Sequence, residues 1–195
     1  MSTGHPKLYA ELAGWWQLIS PTEDYADEAA FFGRLFRAEN AGTVLELGCG
    51  LGLVSVTAAL AGARVLAVDR SPEGIAFTAA NAAHNGVTLQ TAVCAFDQPE
   101  PLLAGAPWDL VLTADVLYEP RNVPVLLWLL PRLVDASGEV WLADPGRRMQ
   151  ATFLAGMDAT GWQCERLPGE PDTVAILRLR RPESGVAPHL GRTGR

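Results

Sequence analysis

Through the middle of the chain, short apolar runs rich in β-branched residues alternate with stretches whose apolar positions recur at helical spacing. The strand-like runs are Thr43–Leu47, Arg64–Asp69, Leu89–Ala95, Leu110–Thr113, Glu139–Ala143, Gln163–Arg166 and Thr173–Arg178. Helices are predicted over Leu51–Ala61, Pro72–His84, Val123–Leu133 and Arg147–Ala159. Strands separated by helices in this way predict an α/β fold, a mostly parallel sheet joined by crossover helices. The punctuation agrees. Ser71-Pro72 is a helix start, with Ser71 as N-cap and Pro72 at the first helical position. Asn85-Gly86 is a stop, because Gly86 is free to adopt the left-handed conformation that ends a helix.

The last two strands are separated by Leu167 to Asp172, a link containing Pro168, Gly169 and Pro171, and read as a hairpin. Ahead of the core, Tyr9 to Arg37 is an aromatic-rich cap. Ser20-Pro21-Thr22-Glu23-Asp24 opens a helix there, its acids favourably placed in the first turn, and the helix runs to about Ala38. The expected organisation is a helical cap over 1–41, a core over 42–180 and a polar tail over 181–195, without a second domain.

Composition narrows the class. The 195 residues are 49% hydrophobic and 19% charged, enough for one globular domain with a full core. The net charge of −7 and pI of about 4.9 come without any Lys/Arg cluster before the tail. Nucleic-acid binding is therefore disfavoured, and cationic partners are suited. Cys49, Cys94 and Cys164 form no C-x-x-C pair, and His5, His84 and His189 are scattered, so neither a zinc site nor a disulfide framework is expected. His84 reads as a surface residue. No apolar run reaches spanning length and no signal peptide is evident, so the expectation is a cytoplasmic protein, monomeric or weakly dimeric, without a membrane partner.

The candidate chemistry begins at Glu46-Leu47-Gly48-Cys49-Gly50-Leu51-Gly52, where an apolar strand runs into a Gly-x-Gly-x-Gly turn and a helix of small residues. Glycine belongs where the backbone turns sharply and a ligand approaches without a Cβ in the way. The spacing is tighter than the dinucleotide pattern, whose third glycine would fall at Leu53. A second strand ends in Asp69, about twenty positions after the turn, where a ribose-binding acid belongs.

Together these residues resemble the class I S-adenosylmethionine (SAM) dependent methyltransferases, whose first motif reads like ELGCGxG and whose second strand ends in an acid. The resemblance implies a Rossmann-like, doubly wound seven-stranded sheet with an antiparallel C-terminal strand and helices on both faces. It implies SAM as cofactor, S-adenosylhomocysteine as product, and no metal. Gly48, Gly50 and Gly52 would let backbone amides reach the methionyl carboxylate. Glu46 would support the ammonium end, or else orient the glycine loop. Asp69 would accept the ribose hydroxyls. Phe96 and Asp97, after the third strand, would bracket adenine; alternatively Phe96 is core and Asp97 part of a turn before Pro99.

The fourth strand runs into Asp115-Val116-Leu117-Tyr118-Glu119-Pro120, which resembles the Asp-x-x-Tyr signature of the protein lysine methyltransferases of this class. That likeness implies transfer of methyl to a protein nitrogen, with Asp115 binding the incoming cation beside the methyl and Tyr118 offering its ring face or hydroxyl. Asp144-Pro145-Gly146-Arg147 resembles the branch that methylates the β-subunit of electron-transfer flavoprotein, placing Asp144 and Arg147 near substrate; a turn with a capping Asp is the other reading. The amino-terminal part lacks the Trp element usual in the lysine methyltransferases. It resembles small-molecule N-methyltransferases instead, which would make Tyr9, Trp16 and Tyr25 lid aromatics, or alternatively a hydrophobic staple onto the sheet. Three functions follow: a protein methyltransferase, a small-molecule N- or O-methyltransferase acting on a small amine or similar acceptor, and a SAM-binding partner subunit without catalysis.

Overall fold

The computed structural model describes residues 22–39, 42–167 and 174–181, with the backbone alone at 22–25 and 27. Along them run α1 (Thr22–Glu39), β1 (Thr43–Leu47), α2 (Leu53–Leu60), β2 (Arg64–Asp69), α3 (Pro72–His84), β3 (Gln90–Val93) and α4 (Glu100–Ala104). There follow β4 (Trp108–Ala114), α5 (Asn122–Leu133), β5 (Val134–Asp144), α6 (Gln150–Ala159), β6 (Gln163–Arg166) and β7 (Ala175–Arg180). The strands build one seven-stranded sheet in the order β3-β2-β1-β4-β5-β7-β6. The first five of these pair in parallel, and β7 lies antiparallel between β5 and β6. The doubly wound sheet with one reversed C-terminal strand is therefore present as expected.

Alternation along the strands divides the core. Val44, Leu110, Leu112 and Trp141 bury one sheet face under Phe32 and Phe36 of α1 and Val54 and Ala58 of α2. The Phe36 ring stacks on Trp141 with centroids 5.8 Å apart. Leu45, Leu47, Val111, Val140 and Leu142 bury the other face under Leu126, Leu129, Leu130 and Leu133 of α5 and Phe153 and Met157 of α6. Strands apolar on both faces suit a sheet covered on both sides.

The chain order reverses between β1 and β4, and ligands in open α/β sheets bind outside the carboxyl ends of the strands at such a reversal. Local signals hold these ends in place. Gly74 donates its amide to the Ser71 hydroxyl at 3.2 Å, the N-cap expected for α3. Gly86 ends that helix with φ of +68°. His84 is exposed in its last turn.

Several boundaries differ from expectation, most by one or two residues and three for reasons the structure shows. A short helix, α4, follows Pro99 in a stretch for which the sequence predicts no element; Pro near its first position pre-sets helical φ. β5 starts at Val134, because Trp108 pairs with Val134 before a bulge restores register at Leu110 and Glu139. α6 starts at Gln150, because the Arg147 amide is committed to Asp144. The link 168–173 and most of the cap and tail lie outside the described residues.

Candidate active site

A cleft of about 580 Å³ opens where β1, β2 and β4 end. Gly48, Gly50, Asp69, Phe96, Asp97, Asp115 and Tyr118 all line it, so seven residues singled out in the sequence converge on one cavity. The loop from β1 to α2 forms its floor. Gly48 and Gly50 have φ of +76° and +53°, and a Cβ on Gly50 would meet no protein atom within 4 Å, so the cradle is open to a ligand.

Asp69 fixes that loop. Its Oδ2 accepts from the Gly50 amide at 2.9 Å and its Oδ1 from the Ser71 amide at 2.8 Å. A carboxylate has about four lone-pair positions, so two remain for ligand hydroxyls. Thr78 of α3 donates to the Gly50 carbonyl at 3.1 Å and locks the turn from below.

On the far side, Asp115 takes a left-handed φ of +50°, unusual for a residue with a side chain. Its amide donates to the Ala143 carbonyl at the end of β5, at 2.9 Å. Its carboxylate receives Arg147 side-on: Nε reaches Oδ1 and Nη2 reaches Oδ2, each at 2.7 Å. The bonds to Asp115 push the Arg147 pKa still higher than usual. Tyr118, 47% exposed, stands at the cleft mouth. The Asn122 side chain donates to the Val116 carbonyl at 2.8 Å and pins the segment that carries Asp115 and Tyr118.

A family model described as lysine methyltransferase matches residues 23–159, from α1 through α6. The chain belongs to the lysine methyltransferase family. It is 36% identical over 144 residues to the ribosomal protein L11 methyltransferase of Synechococcus sp. (strain RCC307), an alignment covering 71% of this chain and 46% of that protein. It is 33% identical over 113 residues to the ubiquinone biosynthesis O-methyltransferase of Rhizobium etli, covering 57% and 44% respectively. The chain thus spans somewhat less than half the length of these curated relatives. The fold is also similar to magnesium protoporphyrin IX methyltransferase from Synechocystis PCC 6803, solved with bound SAM, at a TM-score of 0.67 and 16% identity over 93% of this chain and all of that one.

In this member of the lysine methyltransferase family, some expected site residues stand apart from the cleft. Glu46 does not line it. Strand alternation puts Glu46 on the face of Val44, Leu112 and Trp141, buried under Phe32 of α1, where it accepts from the Ser55 hydroxyl of α2. Burial pushes its pKa up to about 7, against the pull of the Ser55 bonds. Gly52, with φ of +79°, packs on α3 instead: a Cβ there would come within 2.6 Å of Thr78. Asp144 is buried and serves the turn after β5, its Oδ1 accepting from the Gly146 and Arg147 amides at 2.8 and 2.7 Å. Arg147 enters the site through Asp115. Tyr9, Trp16 and the side chain of Tyr25 lie outside the described residues.

Sequence reasoning missed Asn122, Arg70 and Arg121, all of which line the cleft. Position was the available signal: each follows a strand end or opens a helix. Among the described residues, no group of His, Cys, Asp and Glu is placed to hold a metal, and no helix is long and apolar enough to cross a membrane.

Proposed function

We propose that this protein is a SAM-dependent methyltransferase whose acceptor is a lysine-like nitrogen of a protein. The observation that carries the reading is the convergence of the glycine loop, Asp69 and the Asp115–Tyr118 segment on one cleft. Its volume of about 580 Å³ falls in the range of small-molecule and cofactor sites. The residues fit the cofactor. Gly48 and Gly50 leave room for the methionyl end, Asp69 keeps lone pairs for ribose hydroxyls, and Phe96 and Asp97 border the flat base. Glu46 and Gly52 support the loop from behind, and Asp144 holds the turn that carries Arg147.

When bound, SAM supplies an electrophilic methyl on a positively charged sulfur. The acceptor amine must arrive unprotonated, although a free lysine holds its proton up to a pKa near 10.4. Its nitrogen lone pair would then be free to take the methyl, the C–S bonding pair leaving with sulfur. The proton shed by the incoming ammonium would pass to water before attack, and the product would remain a methylated ammonium at neutral pH. Asp115 and Tyr118 orient the amine for in-line attack. The chemistry calls for no nucleophile on the protein and no metal. The reading keeps the cytoplasm as compartment and a monomer or weak dimer as the working species.

Family membership and the likeness to an L11 methyltransferase support a protein acceptor; the likeness to a ubiquinone O-methyltransferase supports a small molecule as the second reading. Incubation with methyl-labelled SAM and cell extract separates them. Label recovered as methyl-lysine after protein hydrolysis, and lost with Asp115→Asn, is the expected result. Label confined to small molecules would overturn the protein acceptor. SAM binding without transfer to either fraction would leave a non-catalytic subunit.

A further inference from the structure

Asp115 is already occupied by a cation of the protein itself. Arg147 covers both carboxylate oxygens at 2.7 Å, and this pairing is built in rather than incidental. Asp115 is fixed by its left-handed backbone and by the hydrogen bond its N–H donates to the Ala143 carbonyl at the end of β5. Arg147 is fixed by the hydrogen bond its backbone N–H donates to the carboxylate of Asp144, a residue 1% exposed. Two adjacent strand ends therefore aim the side chains at each other. The pair itself is nearly half exposed, at 45% and 48%, where an ion pair contributes little to folding stability. Its consequence is local.

A carboxylate facing an amine without a partner stabilises the ammonium form. That form has no lone pair to attack with. A carboxylate compensated by a guanidinium loses most of this effect, yet it keeps about two lone-pair positions for a neutral N–H. We infer that Arg147 is a positioning residue of the acceptor site, making Asp115 a receptor for a neutral amine rather than for an ammonium ion. The inference rests on the acceptor role proposed for Asp115 above. The other charged or titratable groups of the cleft are Asp69, Arg70, Asp97, Tyr118 and Arg121, the last paired with Glu119. Among the described residues, Arg147 is the charged group seen paired with Asp115, and none of those five is.

The test uses the full chain, with n-butylammonium chloride as probe at pH 7, where a primary amine is protonated. Removing a unit charge roughly 5 Å away changes affinity by about fourfold even with the full screening of bulk water. Arg147→Gln is therefore expected to bind the probe at least about fourfold more tightly than the natural protein. The gain should vanish when Asp115→Asn is added. Arg147→Lys, which keeps the charge, should stay near the natural affinity. In methyl transfer to the protein acceptor, Arg147→Gln should lower KM and kcat together and move the pH profile of kcat upward, a split that loss of folding would not produce. Equal probe affinity in the natural protein and a folded Arg147→Gln variant would overturn the inference. So would a gain that survives Asp115→Asn, or the absence of probe binding to Arg147→Gln. If no protein is methylated, the proposed function fails, while the probe titration still decides the role of Arg147.

Discussion

Replacing Glu46 by Gln should stabilise the folded protein at neutral and alkaline pH and do nothing in acid. Glu46 is 3% exposed beneath α1, and burial raises its pKa from 4.5 to about 7. Below about pH 4.5 the carboxyl is protonated in both folded and unfolded chains, and the burial costs nothing on this account. Between 4.5 and 7 the unfolded chain releases the proton while the folded chain keeps it, so stability falls as pH rises. Above 7 the cost is complete. At about 1.4 kcal/mol for each pH unit between the two values, it is on the order of 3 kcal/mol. Gln keeps an oxygen to accept from the Ser55 hydroxyl and has no charge to desolvate. For a chain of this length, that difference raises the melting temperature by roughly 6–12 °C. Thermal melts of both proteins without ligand, from pH 4.5 to 8.5, give the answer. The gap should be near zero at the acid end and widen to its full value above pH 7. A gap that ignores pH, or a Gln variant less stable at pH 8, would refute the reasoning.

Three further outcomes are expected. Gly52→Ala combines a left-handed backbone, worth about 1–2 kcal/mol, with overpacking against Thr78, worth about 1–3 kcal/mol; denaturant melts should show a loss of roughly 2–5 kcal/mol. Asp69→Ala removes the acceptor for the Gly50 and Ser71 amides and the acceptor proposed for the ribose hydroxyls; calorimetry should show SAM affinity down about a hundredfold or more, and unchanged affinity would detach Asp69 from the ribose. Of the three thiols, Cys49 and Cys94 are buried and the Cys49 pKa is pushed up to about 12, mainly by burial, whereas Cys164 is exposed. A folded sample treated with a thiol reagent at neutral pH should therefore label one cysteine rapidly, at Cys164.

Much of this was legible in the sequence wherever local signals act alone. β1, β2, β6 and α3 begin and end where the apolar runs, Ser71-Pro72 and Asn85-Gly86 place them. The strand ends brought seven expected residues into one cleft, because a parallel sheet gathers its carboxyl ends on one edge. What the sequence hid depends on neighbours distant along the chain. The Asp115–Arg147 pair exists because β4 lies beside β5, 32 residues separating the partners. Gly52 looks like its sister glycines until α3 folds back to place Thr78 over it. Glu46 is different: alternation from Val44 already set its face, and the position of the motif obscured that.

The proposed function requires the crevice between β1, β2 and β4 to hold the methyl donor beside Asp115. A crystal structure with S-adenosylhomocysteine tests this most directly. The expected result has both ribose hydroxyls within hydrogen-bond distance of Asp69, adenine against Phe96 and Asp97, and the sulfur facing the Asp115–Tyr118 segment. Density for the ligand away from this cleft, or a ribose without contact to Asp69, would contradict it.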